Sequence, residues 1–470
     1  MKNRIQSNKL FLPGDKKHFN ILPQPTEDMF FSENDLKKLI VPLIAEQFLS
    51  YLIGLMDSVM VSSAGEAAVS AVSLVDAISV LFINIFAALA TGGAVVVGQY
   101  LGRKDLRQAH SSAEQLIILL AVISSAIAAL LLVFQSSILD LLFGRTDPAV
   151  MANCNIYYHI VVFSIPCIAL YNGGAALFRT VGNSRTPMLI SVLMNVVNVI
   201  GNAVLIYGFR MGVSGVAIPT LFSRALGMII VLSLALRKSF TLNLRGLFRF
   251  RPDRHLLGNI LSIGIPSGIE NGMFQFGKLI LMSLVSTLTL AEVTANAMGN
   301  AVATLQGFVA IAVNMAQNTV ISRCVGAGDY KQARWYVRYF VSYTYLHQGL
   351  LSIAMCLAIP LILRVYGVSA EAAHYAAIIM LIHGIGMATL WPPAFMYNTA
   401  MRAAGDSRFV MIVASVSMWV FRVGGSYLLI RGFGVSVVGV WIAWLADWVF
   451  RILIFVPRYC GHKWETKAIH

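Results

Sequence analysis

The sequence predicts an all-α polytopic membrane protein, with twelve transmembrane helices in two six-helix lobes related by a parallel internal repeat. Three observations carry this reading. Of 470 residues, 58% are hydrophobic and 12% charged, with a mean hydropathy of +0.75; a soluble domain has roughly 25% charged residues. Apolar runs of about 20 residues, enough to cross hydrocarbon as a helix, recur from end to end, whereas the alternating segments of roughly ten residues that mark a β-barrel are missing. The two halves of the chain also share residues at a spacing of 223 to 224.

Taken in order, the spans are 38–61, 69–99, 113–134, 150–176, 187–208 and 213–236, then 257–284, 294–322, 333–359, 373–399, 408–430 and 435–457. This divides the chain into an N-terminal segment (1–37), a first lobe (38–236), a basic linker (237–256), a second lobe (257–457) and a tail (458–470). Pro42 and Glu46 of span 1 recur as Pro266 and Glu270 of span 7, 224 residues on. Gly102-x-x-Asp105-x-x-Gln108 recurs as Gly326-x-x-Asp329-x-x-Gln332, and Arg179-x-x-Gly182-x-Ser184 as Arg402-x-x-Gly405-x-Ser407. Six spans per copy orient both copies alike, about a pseudo-two-fold along the membrane normal with a cleft between them. Such a duplication suits two lobes rocking about a central site.

The formal net charge of +14 is not read as a nucleic-acid signal. Basic residues gather in alternate loops, among them Arg103, Lys104, Arg107, Arg179, Arg185, Arg402, Arg408 and the tail after Arg451. Short Lys/Arg-rich loops stay cytoplasmic, which predicts a multi-pass cell-membrane protein with both termini inside. No signal peptide is evident in the first 35 residues. The five cysteines have no metal-ligand or redox spacing, and His374 and His383 are too far apart for a shared metal. Neither a Walker A loop nor a nucleophile elbow is present. No enzyme activity, cofactor or nucleic-acid partner is expected.

Intramembrane polar groups are costly, at least about 3 kcal/mol for a central carboxylate, and so mark interiors and cavities. In span 1, Glu46, Ser50, Gly54 and Asp57 fall near one helical face. In span 5, Asn195, Asn198 and Asn202 form an amide stripe, and span 6 adds Thr220 beside Pro219. Asp57, Asn198, Asn202 and Thr220 together offer hard oxygen ligands for a cation; a carboxylate among amides is equally suited to carrying a proton. Asp76 and Asn84 of span 2 are candidates for the cleft.

The second lobe mixes acids and bases. Span 7 holds Glu270, Asn271, Gln275 and Lys278, and span 12 adds Asp447. At the 224-residue offset Arg422 and Ser426 stand where the first lobe has Asn198 and Asn202, and Asp57 meets Leu281. The expected substrate cleft thus draws on Glu46, Asp76, Asn84, Glu270, Asn271, Gln275, Lys278, Arg422 and Asp447. Aromatic residues such as Phe82, Phe274, Phe308 and Phe395 are available to stack on an organic cation.

The chain resembles the multidrug and toxic compound extrusion (MATE) transporters. The marks are Gly54-Leu-Met-Asp57, Gln99-Tyr-Leu-Gly102, Arg179-Thr-Val-Gly182-Asn-Ser184 and Met401-Arg402-Ala-Ala-Gly405-Asp406-Ser407, and the likeness covers the chain beyond about residue 35. The resemblance implies two six-helix lobes exchanging access across a cleft, an antiporter whose export is driven by Na⁺ or H⁺. The expected substrates are small amphipathic organic cations, held by carboxylates and aromatics, and the expected working unit is the monomer. It maps the coupling cation to Asp57, Asn198, Asn202 and Thr220. The chain departs from the pattern in span 7: many members carry a glutamate at the position of Phe274, whereas here Glu270 lies one turn earlier and Lys278 is added. Ion coupling is therefore expected in the first lobe. A lipid-linked saccharide flippase of the same superfamily fold is the rival, favoured by Lys278 with Arg422; an intramembrane enzyme would need ligand-spaced histidines or carboxylates.

Overall fold

The computed structural model describes residues 29–63, 65–144, 146–249 and 252–468; the expectations for the first 28 residues lie outside them. The first half contains α1 (Glu33–Ser62), α2 (Glu66–Gly102), α3 (Leu106–Val133) with a short continuation α4 (Gln135–Phe143), α5 (Pro148–Thr180), α6 (Arg185–Ala203) and α7 (Ser214–Ala235). The second contains α8 (Arg254–Val285), α9 (Leu290–Gly326), α10 (Tyr330–Leu357) with α11 (Ile359–Tyr366), α12 (Ala370–Thr389) with α13 (Trp391–Ala403), α14 (Ser407–Val416) with α15 (Gly425–Tyr427), and α16 (Val438–Cys460). Wider π-helical turns finish α6 at Val204–Gly208 and link α14 to α15 at Ser417–Gly424.

By length and apolarity, ten helices among the described residues can cross a membrane, or eleven when α10 and α11, bent by 54°, are one span. This falls short of the twelve expected. The segment that fails is α8, whose 32 residues include Asn259, Glu270, Asn271, Gln275 and Lys278 along with several glycines and serines. Span 10 is also two helices rather than one, interrupted at Leu390 just before Pro392 and Pro393; proline removes a backbone donor and clashes with the preceding turn.

The repeated motifs have repeated jobs. Asp105 caps α3 by accepting from the Gln108 N–H at 3.0 Å, and Asp329 caps α10 through the Gln332 N–H at 2.9 Å. An N-cap acceptor satisfies a helix donor that otherwise has no partner. Gly182 and Gly405 take φ of 88° and 101°, which a side chain would strain. Gly102 and Gly326 lie where α2 and α9 cross: a Cβ on Gly102 would stand 2.1 Å from Arg323 O, and one on Gly326 2.0 Å from Gln99 O. Only hydrogen fits there.

The lobes meet along one half of their length. From the basic-loop end inward, Gly102 lies against α9, Gly98 against Ser322, Gly92 against Gly264, and the Asn271 amide donates to Asn84 O at 3.4 Å. The leading halves of α1 and α8 cross between lobes: Leu36, Leu39, Ile40 and Leu43 are buried in the core of the second, and Leu256, Ile260 and Ile263 in that of the first. The N-terminal approach to α1 is pinned there too, since Tyr336 Oη bonds both Phe31 N and Phe31 O. The basic linker is partly a packed strap, with Leu242 and Leu244 fully buried and Phe240 against Phe178. Trp464 likewise docks the tail by stacking on Tyr459.

Candidate ion and substrate site

A cavity of about 510 Å³ opens inside the first lobe, walled by α1, α2, α5, α6 and α7. Gly54, Asp57, Asp76, Asn195, Asn198 and Thr220 line it. Three turns beyond Glu46, Asp57 is carried past the lobe crossing of α1 and faces the amide stripe of α6. Asn202 Nδ2 donates to Asp57 Oδ1 at 2.9 Å. Drawn with its oxygen toward Asp57, the Asn198 amide opposes acceptor to acceptor. Turned over, it donates to both Asp57 oxygens at 3.0 Å and accepts from Thr220 Oγ1 and N at 3.2 and 3.3 Å. Which orientation applies is set by what else Asp57 holds, since a proton or a cation between two oxygens also relieves their opposition. Asn202 Oδ1 is fully buried and, among the described residues, without a hydrogen-bond partner. This donor set, one carboxylate with amide and hydroxyl oxygens, fits a hard monovalent cation.

Two side chains that the sequence reading passed over complete this wall. Arg224, one turn beyond Thr220, lines the cavity and donates to Ser164 Oγ at 2.7 Å, while Tyr157 Oη donates to Asp76 Oδ1 at 3.0 Å. An arginine inside an apolar span is itself a functional-site signal. Position 224 carries that signal in the sequence, a base inside the apolar run of span 6.

The other expected cleft residues divide into groups. Glu46 and Glu270 do not face open space alone: Glu46 pairs with Arg179 at 2.6 Å and Glu270 with Arg402 at 2.7 Å. These are pseudo-symmetric ties between the start of each lobe's first helix and the repeated Arg-x-x-Gly motif. Asn271, Arg179 and Arg402 border a cavity between the lobes of about 290 Å³, with Asn84 close by. Gln275 is half-buried on α8, between Asn271 and Lys278 in sequence. Asp447 is fully buried and saturated: Arg422 approaches one oxygen at 2.6 Å, Arg451 the other at 2.9 Å, and Ser417 donates as well. Arg451 therefore belongs to the lobe interior rather than to the basic tail. Lys278 and Arg422 line a second-lobe cavity of about 450 Å³. His383 sits among Trp441, Trp444 and Trp448, with Nδ1 2.5 Å from Gln306 Oε1.

A duplicated helical bundle with a polar cavity inside each lobe is the build of a membrane transporter. The MatE family model matches residues 42–204 and again 266–428, two copies whose starts are 224 residues apart. The chain belongs to the MatE family, a family of transporters and not of enzymes. It is 26% identical to an uncharacterized transporter, YisQ, of Bacillus subtilis, over 95% of this chain and 98% of that protein. It is 24% identical to a probable multidrug resistance protein, NorM, of Thermotoga maritima, over 95% and 96%. A crystal structure of a MATE protein in complex with MaL6 shares the fold with a TM-score of 0.85 at 21% identity, over 91% of this chain and 96% of that one.

Proposed function

We propose that this protein is a secondary active exporter of small amphipathic organic compounds, driven by Na⁺ or H⁺ bound at Asp57, Asn198, Asn202 and Thr220. The observation that carries the reading is the Asp57 network: a carboxylate in an apolar span, held by two amides of α6 at the wall of a cavity. The names of the relatives, a multidrug resistance protein among them, support the substrate class. Acids at Asp57 and Asp76 suit cationic head groups there. The proposed setting is the cell membrane, with both termini cytoplasmic and the monomer as the working unit. With the basic loops cytoplasmic, the lobes are joined on the inside and accessible from outside.

The chain's own residues account for coupling. An ion entering from outside satisfies Asp57 and the Asn202 oxygen, draws α1 toward α6, and alters the cavity that receives substrate. Because α1 begins in the core of the other lobe, this movement is transmitted to the lobe interface. Linked sites of this kind typically differ by about 1–3 kcal/mol between states. The test is dye efflux in inside-out vesicles with Na⁺ and pH gradients imposed separately. Asp57→Asn is expected to abolish gradient-driven efflux; preserved efflux at comparable protein levels would contradict the assignment.

A further inference from the structure

The cavity of the second lobe is the image of the first with its charge reversed. At the 224-residue offset, Gly54, Asp57, Asp76, Asn198 and Thr220 correspond to Lys278, Leu281, Asn300, Arg422 and Trp444, and each of these ten residues lines its own lobe's cavity. The first wall carries two acids, Asp57 and Asp76, with one base, Arg224; the second carries two bases, Lys278 and Arg422, and no acid among its described lining. We propose that the second-lobe cavity is a binding site for organic anions, taking a carboxylate or similar group at Lys278 and Arg422 and an aromatic or apolar body against Trp441 and Trp444.

The charges there are not balanced by protein. Asp447 already receives Arg422 and Arg451, and among the described residues Lys278 has no ion-pair partner. Glu270 is held by Arg402, and Glu292 accepts from Val437 N and Thr289. Arg422 is 2% exposed, yet among the described residues its Nε lacks a hydrogen-bond partner. Both bases lie over one ring, Phe274, with Lys278 Nζ 5.5 Å and Arg422 Cζ 5.1 Å from its centroid. The ring tempers but does not cancel two neighbouring positive charges. Trp441 and Trp444 stack with centroids 4.9 Å apart, forming an aromatic wall beside them. Unbalanced bases beside apolar surface complement an amphipathic anion, and a substrate with both charges would find its complement in the two lobes together.

This proposal does not rest on ion coupling at Asp57. Calorimetric titration of the purified full-length protein with 2-naphthoate, its neutral amide 2-naphthamide, and 2-naphthylmethylammonium tests it. Naphthoate is expected to bind at least about tenfold tighter than the amide or the cation. Lys278→Met should weaken naphthoate at least about tenfold and Lys278→Arg by less than about threefold, while Asn300→Asp, which restores an acid to this wall, should also weaken it. Glu33→Ala, which breaks an exposed pair with Lys37, should leave naphthoate affinity unchanged; because binding is read without any ion gradient, this test stands apart from the efflux test of coupling. No naphthoate binding below about 5 mM by the native protein, equal affinity for the amide, or unchanged affinity in a monodisperse Lys278→Met variant would overturn the proposal.

Discussion

Buried charges play two different parts in this protein, and partner geometry separates them. Asp447 has every approach occupied, by two arginines and a serine hydroxyl, so it is a structural acid. Removing one member of such a cluster leaves uncompensated buried charge, costing about 3–5 kcal/mol. Asp447→Ala should therefore lower the thermal denaturation midpoint in detergent sharply. Glu33→Ala, which breaks an exposed pair with Lys37, should change stability by at most about 0.5 kcal/mol. Comparable losses in the two variants would contradict the distinction. Asp57 holds only amides and faces a cavity, the arrangement of a group kept available. The sequence marked both carboxylates as costly to bury. It gave no means of knowing that Asp447 meets Arg451, because an arginine four residues on at a span's end reads equally well as loop charge.

Among the elements, α1 and α8 matter most, because each starts in the core of the opposite lobe and finishes in its own. Pro42 and Pro266 fall near the crossing, followed one turn later by Glu46 and Glu270 with their arginine ties. Pro42→Ala would restore a backbone donor and stiffen α1. We expect it to reduce transport rate severalfold while leaving the denaturation midpoint within a few degrees; an unchanged rate would mean that α1 does not flex here. The crossing of α2 and α9 is tighter still. Gly102→Ala puts a methyl group 2.1 Å from a carbonyl oxygen, an overpacking that costs about 1–3 kcal/mol. It should expose cysteines placed on the basic-loop half of the interface to thiol reagents, whereas wild-type protection would argue that the interface is not the closed gate. The repeat itself was legible from motif spacing, as was the place of nearly every helix. The lobe exchange of α1 and α8 was not, because apolar faces say that a helix is buried without saying in which core.

For the whole molecule, two cavities of opposite net charge stand in a frame whose repeated motifs do the same work in each half. The caps at Asp105 and Asp329, the glycines at 102 and 326, and the pairs Glu46–Arg179 and Glu270–Arg402 are all duplicated. Asp57, Asp76 and Arg224 have no such counterparts, nor do Lys278 and Arg422. Symmetry is kept in the caps, crossings and ion-pair ties, and it is lost at the two cavities. Both the offset and the unmatched Asp57 could be read from the chain, and so could the lack of an acid at Leu281. That Lys278, Arg422 and Trp444 share one cavity needed the packing of α8, α16 and the π-helical turn between α14 and α15.

Coupling of an ion gradient to substrate movement is proposed to rest on Asp57. Proteoliposomes containing Asp57→Asn protein separate coupling from transport in one assay, by comparing exchange of labelled dye at equal concentrations with gradient-driven accumulation. Exchange should persist within about threefold of wild type while accumulation against a concentration gradient disappears under both Na⁺ and pH gradients. Accumulation that survives under either gradient would contradict it.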